Sequence, residues 1–196
     1  MTISFGTDKP FHELTEYPDL ETIQHNYPQI QNELLSNKVW LNWGSDNYDQ
    51  SGHCEFLTGD WTVCPIFFGN YSGEDMNAQG LNKLQMIELL ATLPSRFPDT
   101  IAILKKIPRI NYAAFSRLHP KSKLAPHKHK NPLCLIFHMG IIIPAGKLCG
   151  LKVGNETHLW RKPGEVVIFN DNFEHSAWNE SEEERIILYI DFLRYL

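Results

Sequence analysis

Beyond Ile110 the chain breaks into short apolar segments, at 111–118, 133–143, 148–153, 165–169, 175–178 and 185–193. Pro120, Pro126, Pro144-Ala145-Gly146, Gly154-Asn155 and Pro163-Gly164 separate them. Many short β-rich segments at close spacing, each closed by a turn signal, point to a sandwich or barrel rather than to helices. The pattern predicts a mainly β fold, a double-stranded β-helix (jelly-roll) barrel packed by N-terminal helices.

The front of the chain reads differently. Leu20, Ile23, Tyr27, Ile30 and Leu34 recur at helical spacing, with Pro28 forcing an interruption or restart. Trp40 to Trp43 and Trp61 to Phe68 read as buried strands across a turn-rich stretch. A helix is predicted over Leu81 to Leu93, ended by Pro94. A second starts near Pro98, with Asp99 beside its positive end and Ile101, Leu104 and Ile107 on its apolar face. At 196 residues, with no repeat or obvious linker, the expectation is one domain over 1–196, helical to about 110 and jelly-roll over about 111–193.

Charge and hydropathy narrow the partners. A net charge of −5 argues against a nucleic-acid surface, and the basic cluster Lys121 to Lys130 suits small anions better than a polymer. No apolar run approaches the ~20 residues that span a bilayer, and the start lacks a signal-peptide pattern. The expectation is a cytoplasmic protein with no nucleic-acid and no membrane partner. Cys54, Cys64, Cys134 and Cys149 are widely spaced, without C-x-x-C, and read as reduced and buried.

Six of the nine histidines fall between His119 and His175. His127 and His175, 48 residues apart, lie on separate strands or strand edges, as ligands gathered across a small barrel would. Two neutral imidazoles plus an oxygen ligand suit Fe(II), whereas zinc more often takes a third or fourth protein ligand. Arg185 follows His175 by ten residues inside an apolar run. A lone arginine there needs a carboxylate, and its planar fork suits bidentate capture of one. Ser116, on an earlier strand, can offer a hydroxyl to the same group.

These residues resemble the aspartyl/asparaginyl β-hydroxylases, members of the cupin-like Fe(II)/2-oxoglutarate oxygenase superfamily. The resemblance is strongest over 111–192 and traceable from about residue 20. It is carried by FSRLHPKSKLAPH, FHMG, GNETHLW, the IFNDNFEH block and the arginine ten residues beyond it. No single motif is decisive; their order and spacing are. The resemblance implies that His127 and His175 bind iron, and that Ser116 and Arg185 hold the distal carboxylate of 2-oxoglutarate. It further implies that His138 contacts this cosubstrate. The implied reaction uses O2 to hydroxylate a C–H bond, with an aspartyl, asparaginyl or other amino-acid substrate, free or in a peptide or protein. Relatives also hydroxylate lipid acyl chains, a reading the missing membrane segment disfavours.

The chain departs from the family twice. Where the hydroxylase pattern has glycine, two residues after the first iron histidine, stands His129. It is either a third ligand or a solvent-facing residue, and Lys128 and Lys130 favour solvent. The family arginine two residues before the FHMG histidine is Ile136; losing such a charged hydrogen bond costs ~1.5–3 kcal/mol unless Lys152 or another cation replaces it. Two other classes therefore stay open. One is an inactive barrel serving as a binding protein, the other a zinc or nickel cupin using His127, His129 and His175. His119 and His158 read as surface or turn residues, Asp171 as shaping the turn before His175, and Trp160 and Trp178 as core.

Overall fold

The computed structural model describes residues 9–37, 40–42, 56–69, 83–129 and 131–194. Four helices stand in the front half: α1 (Glu21–His25), α2 (Tyr27–Ser36), α3 (Lys83–Arg96) and α4 (Pro98–Leu104). Pro28 sits in the first turn of α2, so the helix restarts there, where the absent N–H has no intrahelical partner to lose. Pro94 does not end α3, contrary to expectation. It falls near the C-terminus, and the Phe97 N–H still reaches the Leu93 carbonyl at 2.9 Å. The Glu33 carboxylate of α2 accepts the Asp99 and Thr100 N–H groups, tying the start of α4 to α2.

The strands are β1 (Phe11–His12), β2 (Leu41–Asn42), β3 (Phe56–Thr58), β4 (Trp61–Phe68), β5 (Ile110–Leu118), β6 (Ser122–His127), β7 (Cys134–Ile142), β8 (Cys149–Val153), β9 (Glu156–Leu159), β10 (Val166–Phe169), β11 (His175–Asn179) and β12 (Arg185–Leu193). Among the described residues they form two antiparallel sheets, in the orders β1-β10-β7-β12-β5-β4-β2 and β3-β6-β11-β8-β9. This is the expected jelly-roll. The strands expected in the front half at 40–43 and 61–68 are β2 and β4, and β1 and β3, which were not expected, extend the sheets further. Neither β6 nor β9 is among the expected segments, although a strand or strand edge was expected at His127, the last residue of β6. SKLAPH and ETHL carry few apolar residues, and β9 lies at a sheet edge.

The larger sheet is buried on both faces, and the alternation of side chains along each strand sorts them. Toward the helices go Phe115 of β5, Leu135, Phe137 and Met139 of β7, and Leu188, Ile190 and Phe192 of β12, against Leu20, Ile23, Ile30, Leu34 and Phe97. Toward the smaller sheet go Leu118, Ile136, Val167, Phe169 and Ile187, meeting Leu124, Leu151, Val153 and Trp160. On that inner face the same period places Ser116, His138 and Arg185. Gly150 is required where β8 passes Trp178, because a Cβ there would lie 2.1 Å from the indole ring. Cys64, Cys134 and Cys149 are buried, as expected, while Cys54 lies outside the described residues.

Candidate metal centre

β6 ends and β11 begins on directly paired residues, His127 opposite His175. Their ring centroids stand 4.1 Å apart. His127 Nδ1 lies 2.8 Å from the Ala125 carbonyl and His175 Nδ1 3.0 Å from that of Phe173. A carbonyl can only accept, so each Nδ1 carries the proton and Nε2 becomes the lone-pair nitrogen. In that tautomer Nε2 can ligate a metal. Burial, and then His127, pull the His175 pKa down to about 4, so its ring is neutral at ordinary pH.

His129 is not turned away from this pair. Its ring lies 5.6 Å from that of His127 and 5.7 Å from that of His175, although its side chain is 37% exposed. Its Nδ1 donates to Asp171 Oδ2 at 3.0 Å, and its backbone N–H to the Asp171 carbonyl at 2.9 Å. Asp171 therefore holds His129. The turn before His175 is shaped by Asn170 instead, whose Oδ1 accepts the Asn172 N–H. As they stand, no three histidine, cysteine or acidic side chains among the described residues form a closed metal-ligating cluster. The paired imidazoles nonetheless fit a divalent transition metal in donor type and tautomer.

Deeper between the sheets lies Arg185, 2% exposed. Its Nε and Nη1 are buried without a hydrogen-bond partner among the described residues, and burial lowers its pKa to about 10, leaving it charged. The carboxylates that could have paired with it for structure are engaged elsewhere. Asp171 binds His129, and Asp191 accepts from Asn111 at 2.9 Å. Ser116 lies on the same face, diagonal to Arg185 across β5 and β12. Its Oγ accepts from Trp61 Nε1 at 2.8 Å, which leaves its own O–H to donate. Trp61 was not singled out by the sequence as part of this site.

His138 stands between the two ends. It is directly opposite Tyr189 and Val167, its ring is 5.0 Å from Phe169, and Phe169 is 5.4 Å from His175. Both its ring nitrogens are buried and unpartnered. Burial, then the Arg185 charge, push its pKa well below the ordinary histidine value, so it is a neutral donor and acceptor. Ile136, at the position of the family arginine, packs in the inner apolar cluster. Lys152 does not replace it. It alternates with the inward Leu151 and Val153 and is exposed on the outer face. His158 is not a surface residue either. Its ring meets fully buried Trp160 edge-on at 4.8 Å, an orientation that depends on β9, which the sequence did not reveal.

A profile described as aspartyl/asparaginyl beta-hydroxylase matches residues 24–195. An ornithine lipid ester-linked acyl 2-hydroxylase of Rhizobium tropici is 34% identical over 193 residues, 95% of this chain and 61% of that protein. The human aspartyl/asparaginyl beta-hydroxylase is 33% identical over 99 residues, 48% of this chain and 13% of that protein. The chain thus spans 61% of the length of the first relative and 13% of the second. Among solved structures, a predicted oxalate decarboxylase of Thermotoga maritima aligns at a TM-score of 0.40 and 12% identity, covering 71% of this chain and 91% of that one.

Proposed function

Starting from a chain that belongs to the aspartyl/asparaginyl β-hydroxylase family, we propose that it is an Fe(II)- and 2-oxoglutarate-dependent hydroxylase. The overall conversion is substrate C–H, 2-oxoglutarate and O2 to substrate C–OH, succinate and CO2. Iron held by His127 and His175 supplies the O2 chemistry. The remaining work falls to the protein's own groups.

One observation carries the reading: a buried guanidinium whose Nε and Nη1 have no hydrogen-bond partner among the described residues. A charge in that position is costly unless a ligand pairs with it. A carboxylate entering between the sheets meets the planar fork of Arg185 and the hydroxyl of Ser116, already oriented by Trp61. Neutral His138 lies on the path between Arg185 and the paired imidazoles and offers a hydrogen bond without adding charge. Phe169, Tyr189 and Val167 line that path and exclude water. A dianion with carboxylates at its two ends matches this layout, with one end at the imidazoles and the other at Arg185. Ile136 removes one cation from the site, so weaker cosubstrate affinity than a two-arginine site provides is expected.

For the substrate we favour an amino-acid side chain, free or in a peptide. The Rhizobium relative, aligned over 95% of this chain, favours an acyl chain as the second reading. No described helix is long and apolar enough to cross a membrane. An enzyme that works at a bilayer surface needs no such helix, so the acyl reading is not weakened by it. The deciding experiment reconstitutes the protein anaerobically with Fe(II), adds 2-oxoglutarate and O2, and follows succinate with amino-acid, peptide and acyl-lipid candidates. Substrate-stimulated succinate release is expected. Iron-loaded protein that neither releases succinate nor binds 2-oxoglutarate by calorimetry would establish the inactive-barrel alternative.

A further inference from the structure

We propose that His129 is a third metal ligand, held in that role by Asp171. The inference rests on the metal-centre reading above and adds a residue at which the family pattern has glycine.

Three independent features meet at His129. The first is spacing. Imidazoles sharing one metal about 2.1 Å from each nitrogen, at angles between octahedral and tetrahedral, have ring centroids roughly 4.6–5.3 Å apart. The His127–His175 distance of 4.1 Å lies just below that range, and the His129 distances of 5.6 and 5.7 Å just above it. A small inward shift of the His129 ring brings both of its distances within that range, and a metal would still have to spread the His127 and His175 rings by about 0.5 Å. The side chain best able to move is the one that is 37% exposed.

The second feature is the tautomer. Asp171 Oδ2 accepts the Nδ1 proton of His129, as the Ala125 and Phe173 carbonyls accept those of His127 and His175. All three rings therefore present the same nitrogen, Nε2, as the lone-pair atom. A carboxylate behind a ligand histidine also raises its basicity and fixes its orientation.

The third is the environment of Asp171 itself. Its side chain is 7% exposed, and its Oδ1 is buried with no hydrogen-bond partner. A surface histidine–aspartate pair contributes little to stability. Burying a carboxylate with one oxygen unsatisfied is a poor way to obtain so weak a contact. Positioning a ligand beside a dication gives that carboxylate an electrostatic reason to be there. Because the third ligand is neutral, the metal would keep its full charge toward an anionic cosubstrate, partly offsetting the cation absent at Ile136. Three of six octahedral positions stay open, as in other non-haem iron sites with three protein ligands.

The test uses Co(II) added to the metal-free protein. Each ligand imidazole whose Nδ1–H is hydrogen-bonded gives one hyperfine-shifted exchangeable proton signal. Three such signals are expected in the parent and two in His129→Ala. By calorimetry, His129→Ala should weaken Co(II) binding at least tenfold, and Asp171→Asn about tenfold through the loss of orientation alone. Two signals in the parent, with His129→Ala binding Co(II) as tightly as the parent, would overturn the third ligand and leave the two-histidine centre standing. A parent that binds no Co(II) removes both. Should His129→Ala fail to fold, as judged by its melting transition, the parent's signal count alone decides.

Discussion

The two faces of the seven-stranded sheet are built from alternate residues of the same strands, and they have opposite character. Toward the helices, Leu135, Phe137 and Met139 of β7 and Ile186, Leu188 and Ile190 of β12 pack against apolar side chains. Toward the smaller sheet, the intervening residues include His138, with both ring nitrogens, and Arg185, with Nε and Nη1, buried without a hydrogen-bond partner among the described residues. The first face has the composition of a stability core. The second leaves polar groups unsatisfied at a cost the first must offset, the arrangement expected where a ligand completes the structure. The comparison teaches that one-residue alternation lets a single strand serve both purposes.

The sharpest way to break this contrast is to damage each face separately. Phe115→Ala, on the helix face, should lower unfolding free energy by about 3–5 kcal/mol in urea titrations while leaving 2-oxoglutarate affinity of the folded protein unchanged. An equal loss of affinity would mean that the two faces are not independent.

Next in size is Arg185→Met. Calorimetry should show 2-oxoglutarate binding weakened about 100-fold, roughly 3 kcal/mol. Without ligand, the variant should be at least as stable as the parent, because it removes a buried charge that lacks a protein partner. A variant that unfolds as readily as Phe115→Ala would show that Arg185 belongs to the core instead.

The smallest effect is in pH. The His175 pKa in the folded protein, about 4, lies below the 6.5 of an ordinary histidine. As pH falls, the unfolded chain therefore binds the proton first, and stability drops through the window from 6.5 toward 4. Between pH 6.5 and 5 the metal-free protein should lose about 1.5 kcal/mol from this group, and His175→Phe should flatten that slope. A parent and variant with identical pH profiles would show that His175 is not held neutral by burial.

Much of this was legible in the chain. Strands such as β7 and β12 are apolar on both faces and announce themselves as runs. β6 and β9 were hidden because one carries lysines and Pro126 and the other is exposed at an edge. The site followed the same logic. The spacing of His127, His175 and Arg185 suggested a shared hollow, and the fold places the two imidazoles on paired residues with Arg185 in the same interior. The direction of His129 was not legible, since it depends on a hydrogen bond to Asp171, 42 residues away. His158 was misjudged because its orientation is set by register with Leu151, a long-range fact. Lys152 is kept out of the interior by the same alternation that brings Leu151 inward.

Arg185 has one more consequence. Any anion that pairs with it binds the native chain and not the unfolded one, so its binding free energy adds to the resistance to denaturation. The lifetime of this chain in a cell would then follow the supply of its own small-molecule partner. Scarcity of that metabolite would thin the population of molecules before it slowed the turnover of those that remain.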